Sequence, residues 1–120
     1  MNLKEVKALT NGELRIKVAE SCGIKGRFHP TGCGVEFRED GKDYWQRIPD
    51  YPQDLNAMYE VEEMLVGILL KYGQEARCRY EYVLADVIGC HASTMFRWKL
   101  LHATARQRAE AFVLTMEDVA

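Results

Sequence analysis

The chain has 120 residues, 48% hydrophobic and 28% charged, with a formal net charge of −2. That length fits one domain, 1–120, able to bury a core without staples, and the charge balance argues against general coating of nucleic acid. Its longest apolar run, LVGILL, is far too short to span a membrane, and MNLKEVKALTNGEL lacks the apolar stretch and cleavage site of a secretory leader.

Four cysteines, Cys22, Cys33, Cys78 and Cys90, are dispersed without a Cys-x-x-Cys pair. With no export signal they read as reduced thiols packed as small hydrophobes, in a cytosolic setting. Charge is uneven along the chain. Residues 50–63 hold Asp50, Asp54, Glu60, Glu62 and Glu63 without a base, whereas 77–108 hold Arg77, Arg79, Arg97, Lys99, Arg106 and Arg108 against Glu81 and Asp86. Two such surfaces can stay solvated or meet between subunits.

In chain order, the first expected helix begins at Thr10, which has capping-box spacing to Glu13, carries Leu14 and Val18 inward and stops at Gly23. GIKGRFHPTGCG reads as loop. VEFREDGKDYWQR then sets Asp40-Gly41 between aromatic and β-branched runs, the signature of a tight hairpin. The pairing expected over 35–47 places Glu39 opposite Lys42, Arg38 opposite Asp43 and Phe37 opposite Tyr44.

Pro49 and Pro52 force extended backbone before a helix led by Asp54. Leu55, Met58, Val61, Leu65, Ile68 and Leu69 form its apolar stripe, and Gly73 is its expected end. Residues 76–89 fit both a strand and a helical period. TMFRWKLL alternates like a strand, with Thr94, Phe96, Trp98 and Leu100 on one face. The final helix is expected from Thr104, with Gln107 in capping-box position and Ala105, Ala109, Phe112, Val113 and Met116 on its apolar side.

IPDYPQDLNAMYEVEEML and HATARQRAEAFVLTME, with the leading LTNGEL, resemble blocks of small phage and prophage proteins in the phage ABA-sandwich domain family. Joined to the elements above, the resemblance implies an α+β fold. An antiparallel sheet of about three to four strands, including the 35–47 hairpin, would be layered with about three to four helices. It also implies a bacteriophage protein working in the host cytoplasm.

Within such a sheet, parallel strands ending near Ile48 and Leu101 would deliver both following helix N-termini to one edge, where free N–H groups favour an anion. Trp45, Arg47 and Tyr51 beside the first helix, and Thr104, Arg106 and Arg108 at the second, would then form a small anion pocket with aromatic walls. The competing reading is that Thr104 and Asp54 only cap their own helices. If the pocket exists, Arg106→Ala and Arg108→Ala weaken ligand capture with little effect on melting.

Cys22, His29, Cys33, Cys90 and His91 are spaced too loosely for a zinc site, so no metal and no cofactor is expected. A nucleophile elbow, a phosphate-cradling glycine loop and an acid/base pair are all missing from the sequence, and the chain reads as a non-enzyme. The functional expectation is an oligomeric phage binding protein that captures a small anionic, nucleotide-type signal of host defence or blocks a host protein. The alternative is a DNA-binding regulator: Ala85, Gly89, Met95 and Trp98 have helix-turn-helix spacing, with Ser93, Thr94 and Arg97 facing the major groove.

Overall fold

The computed structural model describes residues 1–24, 27–28, 36–38, 46–92 and 94–119. Asn2 starts α1 (Leu3–Lys7), its side-chain oxygen accepting the Glu5 N–H at 2.9 Å. Thr10 starts α2 (Asn11–Ser21) with both arms of a capping box. The Glu13 N–H donates to Thr10 Oγ1 at 3.1 Å, and the Thr10 N–H donates to the Glu13 carboxylate at 3.0 Å. That reciprocal bonding satisfies donors the first helical turn leaves orphaned. Leu14, Val18 and Ala19 of α2 enter the core.

Three short strands follow: β1 (Arg27–Phe28), β2 (Glu36–Arg38) and β3 (Gln46–Arg47), antiparallel in the order β1-β2-β3. Glu36 lies opposite Arg47 and Phe37 opposite Gln46. The expected hairpin put Phe37 opposite Tyr44. The observed register is offset from that expectation by two residues. The Asp40-Gly41 turn and the partners expected for Arg38 and Glu39 lie outside the described residues.

Among the described residues this ladder is a patch of two- and three-residue strands, not a layer, and the α+β sandwich is overturned. Six helices carry the described fold. The strand expected at 94–101 is instead α5 (Phe96–Leu101). FRWKLL contains no β-branched residue, and its Arg, Lys and leucines are good helix formers. Apolar residues at 96, 98, 100 and 101 satisfy either period over so short a window.

Asp54 caps α3 (Leu55–Glu63), accepting the Ala57 N–H at 3.2 Å. The helix ends at Glu63 rather than at Gly73. Gly67 adopts φ +82, a left-handed conformation that interrupts the helix at little cost for glycine alone. Leu69 then bridges Glu75 antiparallel, and the Ala76 N–H donates to the Ile68 carbonyl at 2.9 Å. The expected stripe therefore divides: Met58, Val61 and Leu65 are buried, while Leu55 and Leu69 are exposed.

Residues 76–89 resolve as helix. α4 (Ala76–Ile88) buries Tyr80, Val83, Leu84 and Val87, the helical members of the ambiguous pattern. It stops at Gly89, φ +78, where the N–H groups of Gly89 and Cys90 both donate to the Ala85 carbonyl, at 2.8 and 3.1 Å. α6 (Ala105–Glu117) begins with the second capping box, Thr104 and Gln107, at 3.1 and 2.9 Å. It is the hub of the fold, since α1, α2, α3 and α4 all pack on it. Buried Ala105, Ala109 and Ala111 let neighbouring backbones approach closely, while Phe112 and Val113 fill the space between them.

Candidate functional site

Arg108 lies one turn into α6 at a position that faces the core, only 8% exposed. It donates to both carboxylate oxygens of Glu62 on α3, at 3.1 and 2.9 Å, and to the carbonyls of Leu100, Leu101 and Ala103, at 3.1, 3.1 and 3.2 Å. The Tyr80 hydroxyl on α4 donates to the same Glu62 carboxylate, and the Tyr59 ring centroid sits 5.2 Å from the guanidinium carbon. Burial, then the Glu62 charge, push the Tyr80 phenol well above its ordinary range, so it remains a neutral donor. One arginine thus ties α3, α4, α5 and α6 together.

These three residues form part of the wall of a groove of about 400 Å³. Its apolar lining comes from Tyr59, Leu65, Val66, Leu84 and Leu100, with exposed Glu63, Arg77 and Glu81 beside them. Charged groups deep in the groove already satisfy one another. What the groove still offers an incoming molecule is apolar contact, with carboxylates nearby.

The six residues expected to hold an anion are not brought to one rim. Trp45 lies outside the described residues. Arg47 is exposed and lines a separate cavity of about 360 Å³ with Arg15, Ile48, Pro49, Asp50 and Asp54. There the buried Arg15 donates to the carbonyls of Pro49, at 3.0 Å, and Ile48, fastening α2 to the segment after β3. Tyr51 is buried in the core, its phenol pushed up to about 12 by that burial. Thr104 caps α6 and lines neither cavity.

Arg106 points away from Arg108, as residues two apart on a helix must. It donates to Glu110 at 3.2 Å, to Asn11 Oδ1 at 2.7 Å and to the carbonyls of Leu9 and Lys7, at 2.6 and 3.3 Å. Both arginines are internal clamps. A signal for Arg108 was present in the sequence: it stands with Ala105, Ala109 and Phe112 on the apolar stripe of its helix. A charge in that place requires a buried partner. Nothing local marks Glu62 and Tyr80 as that partner set, because they come from two other helices.

The helix-turn-helix residues fare differently. Ser93 lies outside the described residues, and Thr94 and Arg97 are exposed. The connection 89–95 exceeds the roughly three- to four-residue turn of that motif, and α5 buries no residue. Instead it displays Trp98, 57% exposed, and Leu101, 72% exposed, next to Arg97 and Lys99. The His102 ring stacks on Trp98 with centroids 3.9 Å apart, and its Nδ1 lies 2.8 Å from the Trp98 carbonyl oxygen.

Among the described residues no group of three or more His, Cys, Asp or Glu could hold a metal. Cys90 is buried, burial pushes the Cys22 thiol up to about 11, and His91 pairs with Asp86 at 2.7 Å. His29 and Cys33 lie outside the described residues. No described helix is long and apolar enough to cross a membrane. No protein-family model, curated protein or solved structure matches this chain.

Proposed function

We propose that this protein acts by binding rather than by chemistry, and that it takes a protein partner in the groove between α3, α4 and α5. The observation that carries this reading is the pairing of open apolar walls with a closed polar interior. Tyr59, Leu65, Val66, Leu84 and Leu100 offer apolar surface, whereas Glu62, Tyr80 and Arg108 are bonded to one another. An anion entering here must compete with Glu62 for Arg108, and a part-buried carboxylate stripped of its cation is strongly unfavourable. An apolar side chain meets no such opposition.

Val66, in the lining, is 68% exposed, and Leu101, beside lining residue Leu100, is 72% exposed. Clustered apolar exposure of this kind marks interaction surfaces. Occupancy of the groove by a protein surface is therefore better supported than capture of a nucleotide-type signal. A phage origin and a host-cell setting enter only through the resemblance of residues 9–14, 48–65 and 102–117.

A photo-crosslinking amino acid at Val66, compared with one at exposed Glu20 on α2, tests the reading in bacteria expressing the chain. The expected result is a discrete protein adduct from Val66 alone. Adducts equal at both positions, or none, would refute it. Retardation of duplex DNA that weakens steeply with salt, without a Val66 adduct, would put the DNA-binding regulator in its place.

A further inference from the structure

We infer that the molecule seated in this groove is a second copy of the chain, each copy laying its α5 into the groove of the other. The inference rests on the groove being a protein-binding site, and charge and shape then select the occupant. α5 presents Trp98 between Arg97 and Lys99, with exposed Leu101 three residues on, and no acidic residue occurs between Asp86 and Glu110. The receiving side is opposite in sign: Glu63 and Glu81 are exposed in the lining, and Glu60 is exposed one turn before Glu63. Arg77, the exposed base in that lining, lies 3.9 Å from Glu75, which offsets it. An exposed tryptophan flanked by bases is the composition of an interface anchor, and an apolar groove edged by carboxylates is its complement.

Connectivity supplies the second argument. Leu100 of α5 lines the groove, so the donated helix and the receiving groove are neighbours on one molecule. A two-fold axis can then satisfy both at once: α5 of each copy enters the groove of the other, and the assembly closes as a dimer. One-sided docking would leave a free α5 and a free groove at the two ends and would propagate.

Charge-swap complementation tests this, with sedimentation equilibrium of the full-length chain as the readout. The Arg97→Glu/Lys99→Glu variant should self-associate about ten-fold or more weakly than wild type, as should Glu63→Lys/Glu81→Lys. An equimolar mixture of the two should recover the dimer, because both contacts of the mixed pair regain opposite charges. Wild-type dissociation should strengthen with salt. A chain that stays monomeric, or a dimer indifferent to both reversals, overturns the inference.

The crosslinker at Val66 gives an independent measurement that holds even if a variant fails to fold. An adduct of twice 13.8 kDa supports the second copy. An adduct of any other mass overturns it while leaving the groove a protein-binding site, and no adduct overturns both.

Discussion

At the scale of single residues, Arg108 shows how a side chain that looks like a ligand-binding group becomes part of the frame. Its donors are committed to Glu62 and three carbonyls, with Tyr80 completing the carboxylate's coordination. Removing one member of a buried pair leaves the other desolvated and alone, at about 3–5 kcal/mol. Arg108→Met should therefore lower the urea midpoint sharply, reversing the expectation that its loss spares melting. The Glu62→Met/Arg108→Met double variant should be less destabilised than the two single changes combined, since no stranded charge remains. Additive losses would mean the pair is not coupled.

Buried phenols make a second residue-scale prediction. Burial raises Tyr51 from an ordinary 10 to about 12, and raises Tyr80 as well. Between those values the unfolded chain releases a proton that the folded chain retains, so unfolding becomes easier. Stability present below pH 10 is thus lost as pH climbs through about 12, and Cys22, raised from 9 to about 11, starts the decline earlier. Urea midpoints measured across this range should fall less steeply in Tyr51→Phe than in the parent chain.

Elements come next. Thr10 and Thr104 could be read as caps because a capping box is local: four consecutive residues hold every group it needs. Thr104→Ala should cost about 1 kcal/mol in chemical denaturation, whereas Thr104→Ser should restore most of it. A Thr104→Ala chain as stable as the parent would show that the cap is idle. Gly89 makes a complementary case. A Cβ there meets no atom within 4 Å, so Gly89→Ala is opposed only by its φ of +78, a penalty of about 1–2 kcal/mol. Where sequence misled was in α5 and the end of α3. Phe96, Trp98 and Leu100 alternate like a strand yet occupy a helix, and the stripe from Leu55 to Leu69 runs past the point where Gly67 turns the chain. In both places the hydrophobic pattern was compatible with two backbones, and local chemistry chose between them: helix-forming residues without a β-branch in α5, and Gly67 after α3.

Across the whole molecule, α6 is the member on which the other helices converge, and Arg106 is its attachment to the N-terminal segment. Its bonds to Asn11, Leu9 and Lys7 span most of the chain length. Arg106→Ala should raise amide hydrogen exchange around residues 7–11 with smaller change in α4, which local loosening predicts and loss of a surface ligand contact does not. Unchanged exchange at 7–11 would deny Arg106 this role.

By itself the sequence determined what nearest neighbours decide: the starts of α2, α3 and α6 at Thr10, Asp54 and Thr104, and the apolar faces of Leu14, Val18, Phe112 and Val113. Tertiary structure alone decided the class of fold, the meeting of Glu62, Tyr80 and Arg108, and the groove they border. The physical reason is range. Caps and helical stripes are satisfied within a turn or two, whereas a buried charge and a groove are built by residues that become neighbours only when separate helices pack.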